Sequence, residues 1–267
     1  MRKKGIELGY HIPIELKEML KNHYWEKVNI GCSKSDIYRL ENEDGLILYL
    51  KISIPKTEFN FNREQKLLNW LSGKLPIPEV LFYSKFNNRE FLLLSEIKGR
   101  VSYDAVLDEE IRNNILILAE GLKKIHSIEI DECPLNSHPD VFLDIAKSRL
   151  DQDLVDSKNF DPRWKDKTPA ELYEIVKERK PSKYDLVFSH GDYCLPNVLV
   201  HNKKLSGFID WCYGGINDRN FDIAAVVWSI GYNFGEEWVP LFLKEYGDDK
   251  IDWNKINYFQ MLNSFID

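Results

Sequence analysis

Two carboxylates and an amide stand out in the second half of the chain. Asp192 and Asn197 lie five residues apart in the segment His190-Gly191-Asp192-Tyr193-Cys194-Leu195-Pro196-Asn197, directly after an apolar run, and Asp210 closes Gly207-Phe208-Ile209-Asp210 thirteen residues further on. Two short apolar runs thus deliver three oxygen-bearing side chains to strand ends. Moving a phosphoryl group onto a hydroxyl needs one residue to orient that hydroxyl and accept its proton. It also needs oxygen ligands for a Mg²⁺ that bridges the phosphates. Asp192 suits the first task, and Asn197 with Asp210 the second. Taken singly, Asp192 or Asn197 is as well explained as a turn former whose side chain bonds its own loop. The three together point to chemistry.

A second pair lies earlier. Lys51 sits among Ile47, Tyr49, Leu50 and Ile52, and an ammonium inside an apolar strand needs an anion unless the pleat turns it to water. Glu64 follows on the next amphipathic segment and is a candidate partner, although a helix glutamate alone carries little information. From about residue 25 to 95, runs rich in β-branched and aromatic residues recur, separated by turn signals such as Glu43-Asp44-Gly45. They predict an antiparallel sheet. One helix interrupts it near residues 58–72, where Phe61, Leu67, Leu68 and Leu71 recur at helical spacing before Pro76 and Pro78. After Gly99 the periodicity is mostly helical, over 108–127, 138–153, 169–178, 218–233, 236–246 and 252–266. The expected fold class is α+β in two lobes: residues 1–97 as strands with one main helix, residues 98–267 mainly helical, and a hinge near Gly99.

The segments HGDYCLPNVLV, SGFID and GGINDRNFDIA resemble the catalytic and metal-binding segments of the aminoglycoside 3'-phosphotransferases, which share the two-lobed protein-kinase-like fold. By that resemblance Asp192 is the catalytic base, Asn197 and Asp210 hold Mg²⁺, and His190 belongs to the loop scaffold. Asp218 and Asp222 are then structural, Asp222 capping backbone amides or bonding to the catalytic loop. Gly31-Cys32-Ser33 resembles the family's short phosphate-covering loop, with contact through backbone amides and the Ser33 hydroxyl. The resemblance further implies that Lys51 pairs with phosphates and Glu64, that Tyr49 stacks on the base, and that the backbone of Ser95, Glu96 and Ile97 offers a donor and an acceptor to its edge. The nucleotide implied is ATP or GTP.

The implied acceptor is a cationic aminoglycoside, phosphorylated on its 3'-hydroxyl, an antibiotic-resistance activity. Asp161 and Asp166 fall in the segment that resembles the family's drug-covering insertion. The last helix reads Asn263-Ser264-Phe265-Ile266-Asp267 where the family carries an acidic pair, and Asn233 stands where an acidic residue can contact the drug. Tyr213 and Trp228 occupy two positions that are arginine in the family. These departures keep a second reading open: a kinase of a small metabolite alcohol or amino sugar, or of another antibiotic class. A protein kinase is disfavoured because neither D-F-G nor A-P-E is present.

Composition narrows the partners. The chain has 267 residues, 43% hydrophobic and 13% aromatic, enough for a substantial core, and its net charge of −7 disfavours a nucleic-acid partner and suits a cationic one. No apolar run reaches membrane-spanning length and the basic start is not followed by an apolar leader, so the expectation is a cytoplasmic protein, monomeric or dimeric, with no membrane partner. Cys32, Cys133, Cys194 and Cys212 are widely spaced, which argues against a zinc site or a disulfide framework.

Overall fold

The structure is a computed structural model that describes residues 3–4, 10–28, 35–55 and 59–266. Ser33, with the rest of its loop, and Asp267 lie outside the described residues. The first half holds β1 (Lys3–Lys4), α1 (Ile14–Leu20), β2 (Tyr24–Val28), β3 (Asp36–Glu41), β4 (Ile47–Ser53), α2 (Phe61–Leu71), β5 (Val80–Phe86) and β6 (Arg89–Ser95). The six strands form one antiparallel sheet in the order β1-β2-β3-β4-β6-β5. The expected sheet and helix are present. A second helix, α1, was not expected: it has seven residues and no side-chain N-cap, so little in its sequence marks its start.

The pleat of β4 does the sorting that the site needs. Leu48, Leu50 and Ile52 point to one face, where Leu16 and Leu20 of α1 close a core with Trp25, Tyr38, Leu40, Phe91 and Leu93. Tyr49 and Lys51 point to the other face, across from Leu94 and Leu92 of β6. That second face meets α2. Asn60 caps α2 by accepting from the Arg63 amide at 3.1 Å. The inward stripe of the helix is Phe61, Glu64, Leu67, Leu68 and Leu71, so helical spacing places a carboxylate in an otherwise apolar row.

Beyond Gly99 the chain forms β7 (Arg100–Val101), α3 (Asp108–His126), α4 (Pro139–Asp151), α5 (Pro169–Glu178), β8 (Leu186–Ser189), β9 (Val198–His201), β10 (Lys204–Phe208), β11 (Gly215–Asp218), α6 (Arg219–Asn233), α7 (Val239–Tyr246) and α8 (Trp253–Asn263). Gly99 has φ +142, and a Cβ there would lie 2.8 Å from the Val200 carbonyl oxygen. Only glycine lets the connecting strand approach β9 this closely. The β9–β10 hairpin and the β8–β11 pair lie over a core that includes Tyr193, Phe208, Trp211 and Phe221. Each such ring, once buried, contributes roughly 1.5–3 kcal/mol. Among the described residues no helix is long and apolar enough to cross a membrane.

Two buried aspartates fasten α6 to its surroundings. Asp218 caps the helix and also accepts from the Asp185 amide and from Lys255 Nζ at 2.7 Å. Asp222 accepts from the backbone amides of His190 and Gly191 at 2.9 and 2.8 Å and from His126 Nε2 at 3.0 Å. His126 Nδ1 in turn lies 2.7 Å from the Tyr246 hydroxyl, which accepts from Arg219. A neutral imidazole fits both contacts, giving its Nε2 proton to Asp222 and accepting from Tyr246 at Nδ1. Burial holds His126 and His190 below the ordinary 6.5. The native state then binds fewer protons than the unfolded chain as pH falls through 6.5, so stability is full above that pH and declines below it. Tm should fall between pH 7.5 and 5.5, by about 2–4 °C for each kcal/mol lost. A scanning-calorimetry Tm that stays flat across that window would contradict the neutral, buried assignment.

Candidate active site

The loop after β8 turns at Gly191, with φ +81, and a Cβ there would lie 2.3 Å from the Tyr213 carbonyl oxygen. It then presents Asp192 and winds through a short 3₁₀ turn, Leu195–Asn197, into β9. Asn197 Nδ2 donates to the Asp192 carbonyl at 2.9 Å and to Asp192 Oδ2 at 2.8 Å, which fixes the carboxylate in the loop. Beneath it the buried His190 links two segments: Nε2 donates to the Ile209 carbonyl at 3.0 Å, and Nδ1 faces the Asp192 amide at 3.3 Å. The Ile209 amide donates to the Asn197 carbonyl at 3.0 Å. Asp192, Asn197 and Asp210 are thus tied together by backbone bonds and one imidazole.

Asp210 has φ +64, the left-handed region that costs a non-glycine residue free energy. The conformation turns its carboxylate toward Lys51. Lys51 is 8% exposed, and its Nζ lies 2.7 Å from Glu64 Oε1 and also contacts Asp210 Oδ1. Glu64 is 1% exposed, and its second oxygen accepts from the Cys212 thiol at 3.3 Å. Burial works against a charged lysine, but the Asp210 and Glu64 carboxylates outweigh it and hold the ammonium above its ordinary range. Asp210 is correspondingly held below the carboxylate range, its own burial being offset by Lys51. Its side chain keeps 42% of its surface open to the cleft.

The site has the donors that Mg²⁺ prefers. The Asn197 amide nitrogen is committed to Asp192, and no donor among the described residues meets its oxygen. Asp210 adds a carboxylate, so two hard oxygen ligands come from segments that the Ile209–Asn197 backbone bond ties together. No group of three or more His, Cys, Asp or Glu among the described residues could hold a metal ion, so the remaining ligands would be phosphate oxygens and water.

At the other end of β4, half-buried Tyr49 shares the face of Lys51. The Ser95 amide donates to the Glu79 carbonyl at 3.0 Å and its hydroxyl accepts from the Glu79 amide at 2.8 Å. The Ser95 amide is spent on the sheet edge, which leaves Glu96 and Ile97 to offer a backbone donor.

On the far side of the 190–197 loop, α6 passes beneath, its Ser229 hydroxyl accepting from the Leu195 amide at 3.1 Å. Next to Ser229, Trp228 stacks on Tyr232 with centroids 5.2 Å apart, and both line a cavity of about 500 Å³ with Asp161, Arg163, Glu236 and Gln260. Trp228 is 45% and Tyr232 76% exposed. Asp161 faces this cavity, but Arg163 donates to both of its oxygens, at 2.8 and 2.9 Å, and holds it below the carboxylate range. Its charge is already matched. Asp166, Asn233, Asn263 and Ser264 do not line the cavity: Asp166 pairs with Lys167 in solvent, Asn233 donates back to the Ser229 carbonyl at 2.7 Å, and Ser264 donates to the Gln260 carbonyl at 3.4 Å. Tyr213 packs on Phe59, centroids 4.4 Å apart.

Sequence reasoning missed Arg63 and Ser137, which bond to the turn after Asp210, and Cys212 within that turn, which bonds to Glu64. The signal available was Arg63 beside Glu64, a cation next to the row that faces inward. The Lys51–Glu64 pair gives a direct prediction. Lys51→Met leaves a buried carboxylate short of its partner and should lower the free energy of unfolding in urea by about 3 kcal/mol. Lys51→Met combined with Glu64→Gln should recover part of that, and strict additivity of the two single changes would contradict the pairing.

The chain is similar to known proteins along most of its length. The sequence profile of the phosphotransferase enzyme family matches residues 25–259. An aminoglycoside 3'-phosphotransferase of Niallia circulans is 35% identical over 254 residues, covering 95% of this chain and 97% of the relative. One from Enterococcus faecalis is 38% identical over 258 residues, covering 93% and 96%. Among solved structures, an aminoglycoside 3'-phosphotransferase of type VIII superposes with a TM-score of 0.84 at 24% identity over 94% of this chain and 96% of its own. An aminoglycoside phosphotransferase of Streptomyces rimosus, solved with ADP and streptomycin, superposes at 0.80 with 21% identity over 94% and 95%. The fold is the two-lobed, protein-kinase-like α+β architecture, and the chain belongs to the phosphotransferase enzyme family, alongside the aminoglycoside 3'-phosphotransferases.

Proposed function

We propose that this enzyme transfers the γ-phosphoryl group of ATP to a hydroxyl of an aminoglycoside antibiotic, the 3'-hydroxyl by analogy with the relatives named above, and so confers resistance. The observation that carries this reading is the constellation of Asp192, Asn197 and Asp210 facing the Lys51–Glu64 pair. Residues 1–97 form the nucleotide lobe and residues 98–267 the lobe that carries the base and the acceptor. Tyr49 stacks on the base, and the backbone of Ser95, Glu96 and Ile97 bounds its edge. Lys51, held by Glu64, meets the phosphates. Asp192, steadied by Asn197, accepts the acceptor's proton as its oxygen bonds to phosphorus and the bond to the departing ADP oxygen breaks. Asn197 and Asp210 would hold Mg²⁺, which neutralises phosphate charge when bound.

On the acceptor side the cavity is aromatic more than acidic. A polyammonium drug needs carboxylates for its desolvated cations, and here Asp161 is matched by Arg163 while Glu236 remains. Faces of Trp228 and Tyr232 can hold a cation or a sugar ring, worth about 0.5–2 kcal/mol for a cation. This supports a narrowed aminoglycoside spectrum, in which members with fewer ammonium groups are the better substrates.

Two measurements check this. Asp192→Asn should keep nucleotide affinity while kcat falls by about 10²- to 10⁴-fold, the usual contribution of a general base. Near-full turnover would remove Asp192 from that role. A coupled ADP-release assay over a panel of aminoglycosides and amino alcohols should find turnover with aminoglycosides. Turnover confined to an uncharged alcohol would replace the drug reading with a metabolite kinase.

A further inference from the structure

Arg63 is the one arginine on α2, directly before Glu64. Its guanidinium is half-buried, and burial pulls its pKa below the ordinary arginine value. Among the described residues no carboxylate pairs with it. Its donors go to neutral acceptors instead: Nε to the Cys212 carbonyl at 3.2 Å, Nη2 to the Gly214 carbonyl at 2.9 Å and to the Ser137 hydroxyl at 2.6 Å. The Ser137 hydroxyl itself donates to the Gly214 carbonyl at 2.9 Å. A charged group placed partly out of water and met only by neutral acceptors and the Phe59 ring has given up hydration for geometry.

What it grips explains the geometry. Residues 211–214 form the turn that follows Asp210, closed by the Gly214 amide on the Trp211 carbonyl at 3.0 Å. The two carbonyls held by Arg63 flank Tyr213, whose own carbonyl presses against Gly191 in the loop that carries Asp192. Within the same turn the Cys212 thiol donates to Glu64, the residue that holds Lys51. The turn is therefore fastened to α2 at three points, two through Arg63 and one through Cys212, and it bears on the Asp192 loop from the other side.

We propose that Arg63 is a positioning residue for phosphoryl transfer: it locks the turn after Asp210 onto α2, so that the carboxylate facing the metal and the lysine facing the phosphates keep a fixed separation. The proposal rests on the nucleotide-and-Mg²⁺ reading of the site, and its test separates the two. Arginine suits the task because its planar fork reaches several acceptors at set angles, which lysine cannot do.

The test uses Arg63→Met, Arg63→Lys and Ser137→Ala in the full chain. The first readout needs no acceptor: the Tm increase caused by a non-hydrolysable ATP analogue, titrated with Mg²⁺. Arg63→Met should raise the Mg²⁺ concentration for half-maximal protection at least threefold, with Arg63→Lys intermediate and Ser137→Ala smaller. The second readout is turnover well below each variant's Tm. Arg63→Met should lose about tenfold to a hundredfold in kcat, the cost of displacing reacting groups by a fraction of an ångström to one ångström, with acceptor KM unchanged. If Arg63→Met does not fold, Arg63→Lys and Ser137→Ala decide by the same two readouts. A lowered Tm with wild-type Mg²⁺ requirement and kcat would make Arg63 a fold-stabilising residue only and overturn the proposal. Absence of Mg²⁺-dependent protection in the unaltered protein would overturn the nucleotide reading beneath it.

Discussion

A buried ammonium that cannot stand alone governs this structure. Lys51 sits on the inner face of a sheet, with Glu64 from α2 on one side and Asp210 from the second lobe on the other. Desolvating one charge costs several kcal/mol, and the cost is met here only while both carboxylates stay in reach. That requirement fixes the register of α2 against the sheet. It also draws the left-handed turn at Asp210 toward the first lobe. Strand pleat, helix phase and turn strain all answer to one nitrogen.

The same constraint gives the site its chemistry. Lys51 is shared between two anions. On the proposed reading, phosphates in the cleft would present a third set of anionic oxygens, and Asp210, 42% exposed, is the partner with room to exchange them for a cation. Glu64, almost wholly buried, is not. One carboxylate is therefore a permanent anchor and the other an exchangeable one, a division set by burial. On the opposite wall, the neutral His190 and the buried Asp222 hold the Asp192 loop by its backbone. Asp192, the proposed base, can then change charge without loosening its support.

Much of this was legible in the sequence, for reasons that differ by residue. Strands β2 to β6 and, among the described residues, seven of the eight α-helices announce themselves through periodicity longer than a few residues, with α7 preceded by a 3₁₀ turn at Glu236–Trp238. The seven-residue α1 gives too short a pattern. Asp192, Asn197 and Asp210 were readable because their oxygens fall at strand ends, and Lys51 because an apolar strand leaves a lysine conspicuous. Arg63 and Cys212 were not readable. Their partners are backbone carbonyls and a carboxylate about 150 residues away in the chain, and main-chain acceptors leave no mark on residue type. The acidic acceptor positions show the converse. Asp161 looked like a ligand for a cation, yet its neighbour Arg163 consumes its charge, a fact set by rotamer and not by spacing. Ser95 likewise spends its amide on Glu79, a detail of sheet register.

The most direct test of the Lys51 account is a crystal structure of the protein with Mg²⁺ and a non-hydrolysable ATP analogue. The account predicts that Lys51 keeps its hydrogen bond to Glu64, gives up Asp210 for a phosphate oxygen, and leaves Asp210 with Asn197 on the metal. A complex in which the Lys51–Asp210 contact persists, with nucleotide bound elsewhere or metal held by other residues, would contradict it.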